Sequence, residues 1–140
     1  MIFKVSISEV ELIAHRMAKQ FLKWDEPIPD FSSRYPNVLE SCLATPFQTY
    51  NKKNLYKGLI EQGAMLFYLM IKNHPFQNGN KRIAITTLFL FLYKNGKWIE
   101  IDNQELYNFA VWVASSPAEF RDEAMSSIKK FLKKNIVDAV

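Results

Sequence analysis

From Ile83 to Tyr93 the chain is apolar apart from Thr86, Thr87 and the closing tyrosine. A bilayer-spanning helix takes about 20 residues, so this run is too short to cross one. It opens just after Asn78-Gly79-Asn80 and stops at Asn95-Gly96, a usual helix end. A helix apolar on every side has to be enclosed by other elements. The fold must therefore supply enough amphipathic partners to wrap one buried helix.

Those partners are legible along the chain. Ser8-Glu9-Val10-Glu11 reads as a capping box, with Ile7 placed to staple onto Leu12. Val10, Ile13, Ala14, Met17 and Phe21 then recur at helical spacing to about Trp24. The stretch Asp25-Glu26-Pro27-Ile28-Pro29-Asp30 breaks that helix, since each proline disfavours a helical residue before it. A short helix follows Pro36 through Val38, Leu39, Leu43 and Ala44. A long one runs from about Leu55 to Asn73, with Leu59, Gly63, Leu66, Phe67 and Met70 on one face.

Asp102-Asn103-Gln104-Glu105 opens a further helix carrying Leu106, Phe109, Ala110 and Val113. Ser116-Pro117-Ala118-Glu119 opens the last, with Phe120, Ala124, Ile128, Phe131 and Leu132 on one side. Residues 45–54 lack a helical period and read as an exposed loop or a small β-hairpin. Lys97 to Glu100 read as a short extended stretch. The expectation is an all-α fold, one domain over residues 1–140, with no linker, repeat or low-complexity segment.

Bulk properties narrow function only slightly. A formal charge of +4 favours an anionic partner without choosing one. The single cysteine, Cys42, excludes an internal disulfide and any multi-cysteine metal site, and it reads as a buried structural thiol. It fits a reducing cytoplasm. The N-terminus lacks the long apolar stretch of a signal peptide, so neither secretion nor a membrane is expected.

The chemistry points to His74-Pro75-Phe76-Gln77-Asn78-Gly79-Asn80-Lys81-Arg82, a loop between two strongly apolar helices. His74 can act as a base near neutral pH. Pro75 and Phe76 would stiffen and anchor the loop. Asn78-Gly79-Asn80 supplies a turn whose N–H groups can converge on an anion, beside the positive end of the next helix. Lys81 and Arg82 add two cations there, where they oppose the helix dipole and cost stability without a bound anion. A broken local rule of this kind tends to mark a functional site. The plainer alternative is an Asn-capped loop whose basic side chains reach solvent.

This nonapeptide closely resembles the core motif of Fic/Doc (Fido) proteins, His-x-Phe-x-acid-Gly-Asn-x-Arg. Lys81, where Fic enzymes usually carry glycine, is similar to the Doc (death-on-curing) branch. So are Arg34, Leu39-Glu40-Ser41, Thr45-Pro46, Leu55-Tyr56 and Asn95-Gly96, which extend the resemblance over about residues 34–96.

The resemblance implies a Fido-type helical bundle with a small β-hairpin flap at residues 45–52, aligning an extended target segment. It implies His74 as general base, Gly79 and Asn80 cradling phosphate oxygens, and Lys81 and Arg82 neutralising the transferred and leaving phosphates. ATP and Mg²⁺ would be the cofactors, with Asn78 at the metal position. The implied partners are a protein substrate, elongation factor Tu, and a separate antitoxin, with no specific nucleic acid.

Two departures bear on the reaction. Asn78 stands where the family usually has a Mg²⁺-binding acid, and a neutral amide oxygen ligates a hard cation more weakly. Ile85 replaces the second arginine of AMP-transferring members, which favours transfer of the terminal phosphate. The expected function is therefore a Doc-like toxin that phosphorylates a translation factor. The alternatives are nucleotidyl transfer to a protein hydroxyl, or a catalytically weak binding module. Ser115 and Glu119 have the spacing of an inhibitory-helix motif, but Phe120 follows where Gly or Asn is expected, so a plain helix start is preferred. His15 reads as structural, Trp24, Trp98 and Trp112 as packing, and the C-terminal lysines as a solvated helix end.

Overall fold

The computed structural model describes residues 1–23 and 26–139. The apolar run becomes helix α4, Asn80–Lys94, antiparallel to α3, Gly58–Lys72. Both are enclosed, as that composition demands: every residue from Gln62 to Ile71 and from Arg82 to Leu88 is buried. The two threonines of the run are accommodated differently. Thr86 donates its hydroxyl to Ala14 O at 2.7 Å, tying α4 to the first helix. Thr87 is fully buried with its hydroxyl unpartnered.

The remaining helices wrap this pair. Helix α1 covers residues 7–21, α-helical at Ile7–Glu9 and His15–Phe21 with a π-helical stretch Val10–Ala14 between. Helix α2 is Pro36–Ala44, α5 is Asn103–Ser115, and α6 is Arg121–Asn135 after a 3₁₀ turn, Ala118–Phe120. Asp102 caps α5 through the N–H groups of Gln104 and Glu105. Lys72 closes the other end of α5, donating to Ala114 O at 3.2 Å and Ser116 O at 2.5 Å. One contiguous apolar core results, with Phe109 and Phe131 stacked at 4.1 Å on the α3 side.

Several expectations change. The capping box lies two residues earlier, where Ser6 N donates to Glu9 Oε1 at 2.9 Å and Glu9 N donates to Ser6 Oγ at 3.2 Å. Leu12 is 55% exposed and staples nothing, while Ile13 and Phe21 point outward. The buried face is Val10, Ala14 and Ala18, because only small residues let α1 lie close against α4. Helix α3 begins three residues later than Leu55, and the last α-helix starts at Arg121 rather than at Pro117. Trp24, expected near the end of α1, falls outside the described residues.

Two antiparallel ribbons complete the fold. Strands β1, Thr49–Tyr50, and β2, Lys53–Asn54, form the expected hairpin. Asn51 and Lys52 turn it with φ of 51° and 65°, both left-handed as a tight two-residue turn requires. The extended stretch becomes β3, Lys97–Ile99, paired with β4, Ile136–Asp138, with Trp98 opposite Val137. The sequence reading did not anticipate β4, since three residues fall below the length of a readable strand pattern.

Candidate active site

Residues 73–79 connect α3 to α4, and their shape comes from three anchors. The first is Phe76, 1% exposed, with its ring centroid 5.9 Å from Phe31 and 5.8 Å from His15. The second is Asn80, whose Oδ1 accepts from Phe76 N at 2.9 Å while its Nδ2 donates to Phe76 O at 2.8 Å. These two bonds fix the amide's orientation, so the same Nδ2 faces His74 Nδ1 at 3.4 Å. The third is Pro75 O, which accepts from Tyr35 N at 2.9 Å at the head of α2.

His74 itself is exposed and held at φ 51°, an uncommon conformation for a residue with a Cβ. Strain of this sort persists only where the surroundings over-determine it. Here α3, the Phe76 anchor and the Asn80 clamp hold both flanks of the residue. The imidazole is thereby presented to solvent beside the N-terminus of α4. The 3.4 Å contact with Asn80 lies at the long limit of a hydrogen bond and yields readily to an incoming group.

Gly79 sits at φ 78°, and a Cβ there would come within 2.6 Å of Ile28 Cγ1. Conformation and packing both demand glycine. Gly79→Ala is expected to destabilise the protein by about 1–3 kcal/mol through left-handed strain alone, with a further cost from displacing Ile28. Urea unfolding checks this, and a loss below roughly 0.5 kcal/mol would mean that the loop relaxes freely.

The cationic residues of the motif part company. Lys81 is half-buried and, among the described residues, makes no hydrogen bond or ion pair. Arg82 is 3% exposed and turns towards α1, donating to Leu22 O at 3.3 Å and Glu26 O at 2.6 Å. It lines a cavity of about 250 Å³ with Lys19, Lys23, Pro27 and Ile28, next to Gly79. Ile85 is buried, so no cation stands one turn further along α4.

Asn78 is committed within the loop, where Oδ1 accepts from Gly79 N at 2.8 Å and Nδ2 donates to Pro27 O at 3.4 Å. Among the described residues no group of three or more His, Cys, Asp or Glu side chains could hold a metal ion. Asn78 thus offers a divalent ion one neutral oxygen that is already shared with Gly79 N.

The strap that covers the loop is the segment between α1 and α2, not the hairpin. Pro27 meets Asn78, Ile28 meets Gly79, Phe31 meets Phe76, and Tyr35 meets Pro75. The hairpin's base is set at the other end of α4, with Phe47 5.6 Å from Phe91. That is eleven residues beyond Asn80, roughly 16 Å along the helix axis. The expected hairpin is present within residues 49–54.

Sequence reasoning missed the strap because a proline-broken stretch has no period to read. Arg34, carried by the resemblance, lies 4.4 Å over the Phe31 ring and supports the strap. His15 is structural as expected, with Nε2 3.0 Å from Pro29 O beneath the strap, and burial pushes its pKa down. Cys42 is buried, its Sγ 3.5 Å from Leu69 O, and burial raises the thiol to about 11. Ser115 ends α5 and donates to Trp112 O at 2.9 Å, an ordinary helix terminus. No helix among the described residues is long and apolar enough to cross a membrane.

Two buried antiparallel helices that present a strained histidine beside a glycine-bounded, cation-flanked helix start define a helical protein built around this loop. A profile of the Fic/DOC family matches residues 4–92, well over half of the chain, and the protein belongs to that family. Its members transfer nucleotide-derived groups to proteins. No curated protein matches the chain significantly. No solved structure does so either.

Proposed function

We propose that the chain is a Doc-like toxin that moves the terminal phosphate of ATP onto a hydroxyl of a protein, with elongation factor Tu as the target. The observation that carries this reading is the Asn80 clamp. One side chain ties the Phe76 main chain and reaches His74, so base and helix N-terminus share a single frame. The hydroxyl oxygen attacks the γ-phosphorus, its proton passes to His74, the bond to the β-phosphate oxygen breaks, and ADP leaves. Lys81 and the free N–H groups of the first turn of α4 stabilise the charge that develops.

The cavity beside Gly79 suits phosphate oxygens rather than a whole nucleotide, because it is smaller than typical ligand pockets of about 300–1,000 Å³. Arg82 uses two donors on main-chain carbonyls, and Lys19 and Lys23 share the cavity wall. Since the chain provides no carboxylate at position 78, any Mg²⁺ travels with the phosphates of ATP. A separate antitoxin restrains the enzyme, and the cytoplasm is where its target resides.

ATP labelled in turn at the α and γ positions tests the reaction. Label on protein from the γ position is expected, whereas label from the α position alone would replace the kinase reading with nucleotidyl transfer. The commitment of Asn78 to the loop favours a second reading, a weakly active binding module. His74→Ala separates the two, because growth inhibition that survives this change would leave only the binding role.

A further inference from the structure

His15 is a titratable group set inside the core. It is 4% exposed, and its ring lies edge-on to Phe31 at 5.4 Å and against Phe76 at 5.8 Å. Its Nε2 stands 3.0 Å from Pro29 O. A carbonyl oxygen only accepts, so Nε2 carries a proton and donates it to the strap. A π-helical stretch, Val10–Ala14, ends immediately before this residue, and such stretches commonly mark functional positions.

The surrounding charges do not offset that burial. Helix α1 places Glu11 and Lys19 near the ring and the strap places Asp30, all three exposed to solvent. Lys19 and Asp30 also pair with each other at 3.7 Å. Arg34 of the strap is stacked on Phe31, Arg82 of α4 is bonded to Leu22 O and Glu26 O, and His74 of the loop faces solvent. Burial pushes the His15 pKa down, and the bond to Pro29 O, which favours the charged ring, recovers only part of this. The closed form therefore binds fewer protons than one in which the ring is hydrated. Closure is favoured fully above the ordinary histidine value of about 6.5 and weakens as pH falls through it.

What covers the imidazole is the strap, through Pro29 and Phe31, and the loop anchor Phe76. Water reaches a charged ring when the strap lifts. We propose that His15, beyond its packing role, is a positioning residue for the motif loop: neutral, it latches the strap across the loop, and protonated, it lets the strap rise. Lifting parts Pro27, Ile28 and Phe31 from Asn78, Gly79 and Phe76, so the frame that presents His74 loosens. The inference concerns the cover of the loop and holds whichever group is transferred.

Amide exchange of the full chain, followed by NMR between about pH 7.5 and 5.5, either side of the ordinary histidine value, tests it. The N–H groups of Ser33, Arg34 and Tyr35 report on the strap, since they donate to Asp30 O, Phe31 O and Pro75 O. Corrected for intrinsic exchange, their protection is expected to fall up to about tenfold over that range, the limit for uptake of one proton by the open form. Leu66 and Leu88, in α3 and α4, should stay better protected than the strap throughout. Strap protection that does not change with pH overturns the proposal. So do strap amides that exchange only at the level of the core helices, which would mean that the whole chain opens.

His15→Gln assigns the effect to this residue, because it places a neutral N–H donor near Pro29 O and cannot take up a proton in this range. It should keep the strap protected at the upper pH and abolish the loss in acid. An acid response that persists in this variant belongs to another group and overturns the proposal. Should the variant fail to fold, the His15 ring resonances of the wild-type chain decide. A ring that titrates below the ordinary value of about 6.5, together with the strap amides, supports the latch, and one that titrates at or above it overturns the latch.

Discussion

Phe76→Ala is expected to lower stability by about 3–5 kcal/mol, the range for truncating a buried aromatic ring. Domains of this size hold only about 5–15 kcal/mol in total, so this one change removes a large share of the whole. The ring is 1% exposed and touches both His15 and Phe31, and it fills the space where the strap, α1 and the loop converge. Its loss leaves a void that the strained His74 backbone cannot close without losing its presented geometry. Transfer activity should therefore fall further than the unfolded fraction explains. Urea unfolding measures the stability change. A loss under about 1.5 kcal/mol, the scale of a tolerated volume-conserving swap, would show that the loop does not hang on this anchor.

The second large effect concerns Arg82. Arg82→Met keeps most of the side-chain volume and removes both donors, leaving Leu22 O without its partner in a buried setting. An unsatisfied buried carbonyl costs about 1–3 kcal/mol, while Glu26 is exposed and its carbonyl recovers water. A net loss of about 2 kcal/mol is expected on that basis, with release of the segment after α1. Arg82→Lys keeps the charge but replaces the planar fork with a point charge that cannot span both carbonyls. It should recover only part of the stability. If Arg82→Met unfolds at the wild-type urea midpoint and merely loses transfer activity, the bracing role is wrong and the residue serves phosphate alone.

The helices were legible because their information is local. The run from Ile83 to Tyr93 is apolar on all sides and demands burial, and stop signals such as Asn95-Gly96 mark its end within a residue or two. The motif loop was legible for the same reason, since residues 74–82 are adjacent in sequence and their spacing is itself the signal. What failed were statements about facing and distance. Ile13 and Phe21 fit the helical period of α1 yet point outward. The deciding factor was close approach to α4, which only the small residues Ala14 and Ala18 allow.

The hairpin shows the same limit. Its position between two helices was readable, but the seat of its base, Phe47 against Phe91, depends on how α2 and α3 pack on α4. Arg82 is similar. Its place as a cation at a helix start was readable, while its bonds to Leu22 O and Glu26 O depend on packing. The strap over the loop, Pro27 to Tyr35, left no periodic trace at all.

From its sequence alone this chain declares an all-α fold, a buried central helix and the family's motif loop at that helix's start, because each rests on neighbours within a few residues. The tertiary structure decides which segment covers the loop, which way Arg82 points, and which strand pairs with Lys97–Ile99. Those depend on contacts between residues as far apart as Leu22 and Arg82, or Trp98 and Val137, whose meeting no local pattern encodes.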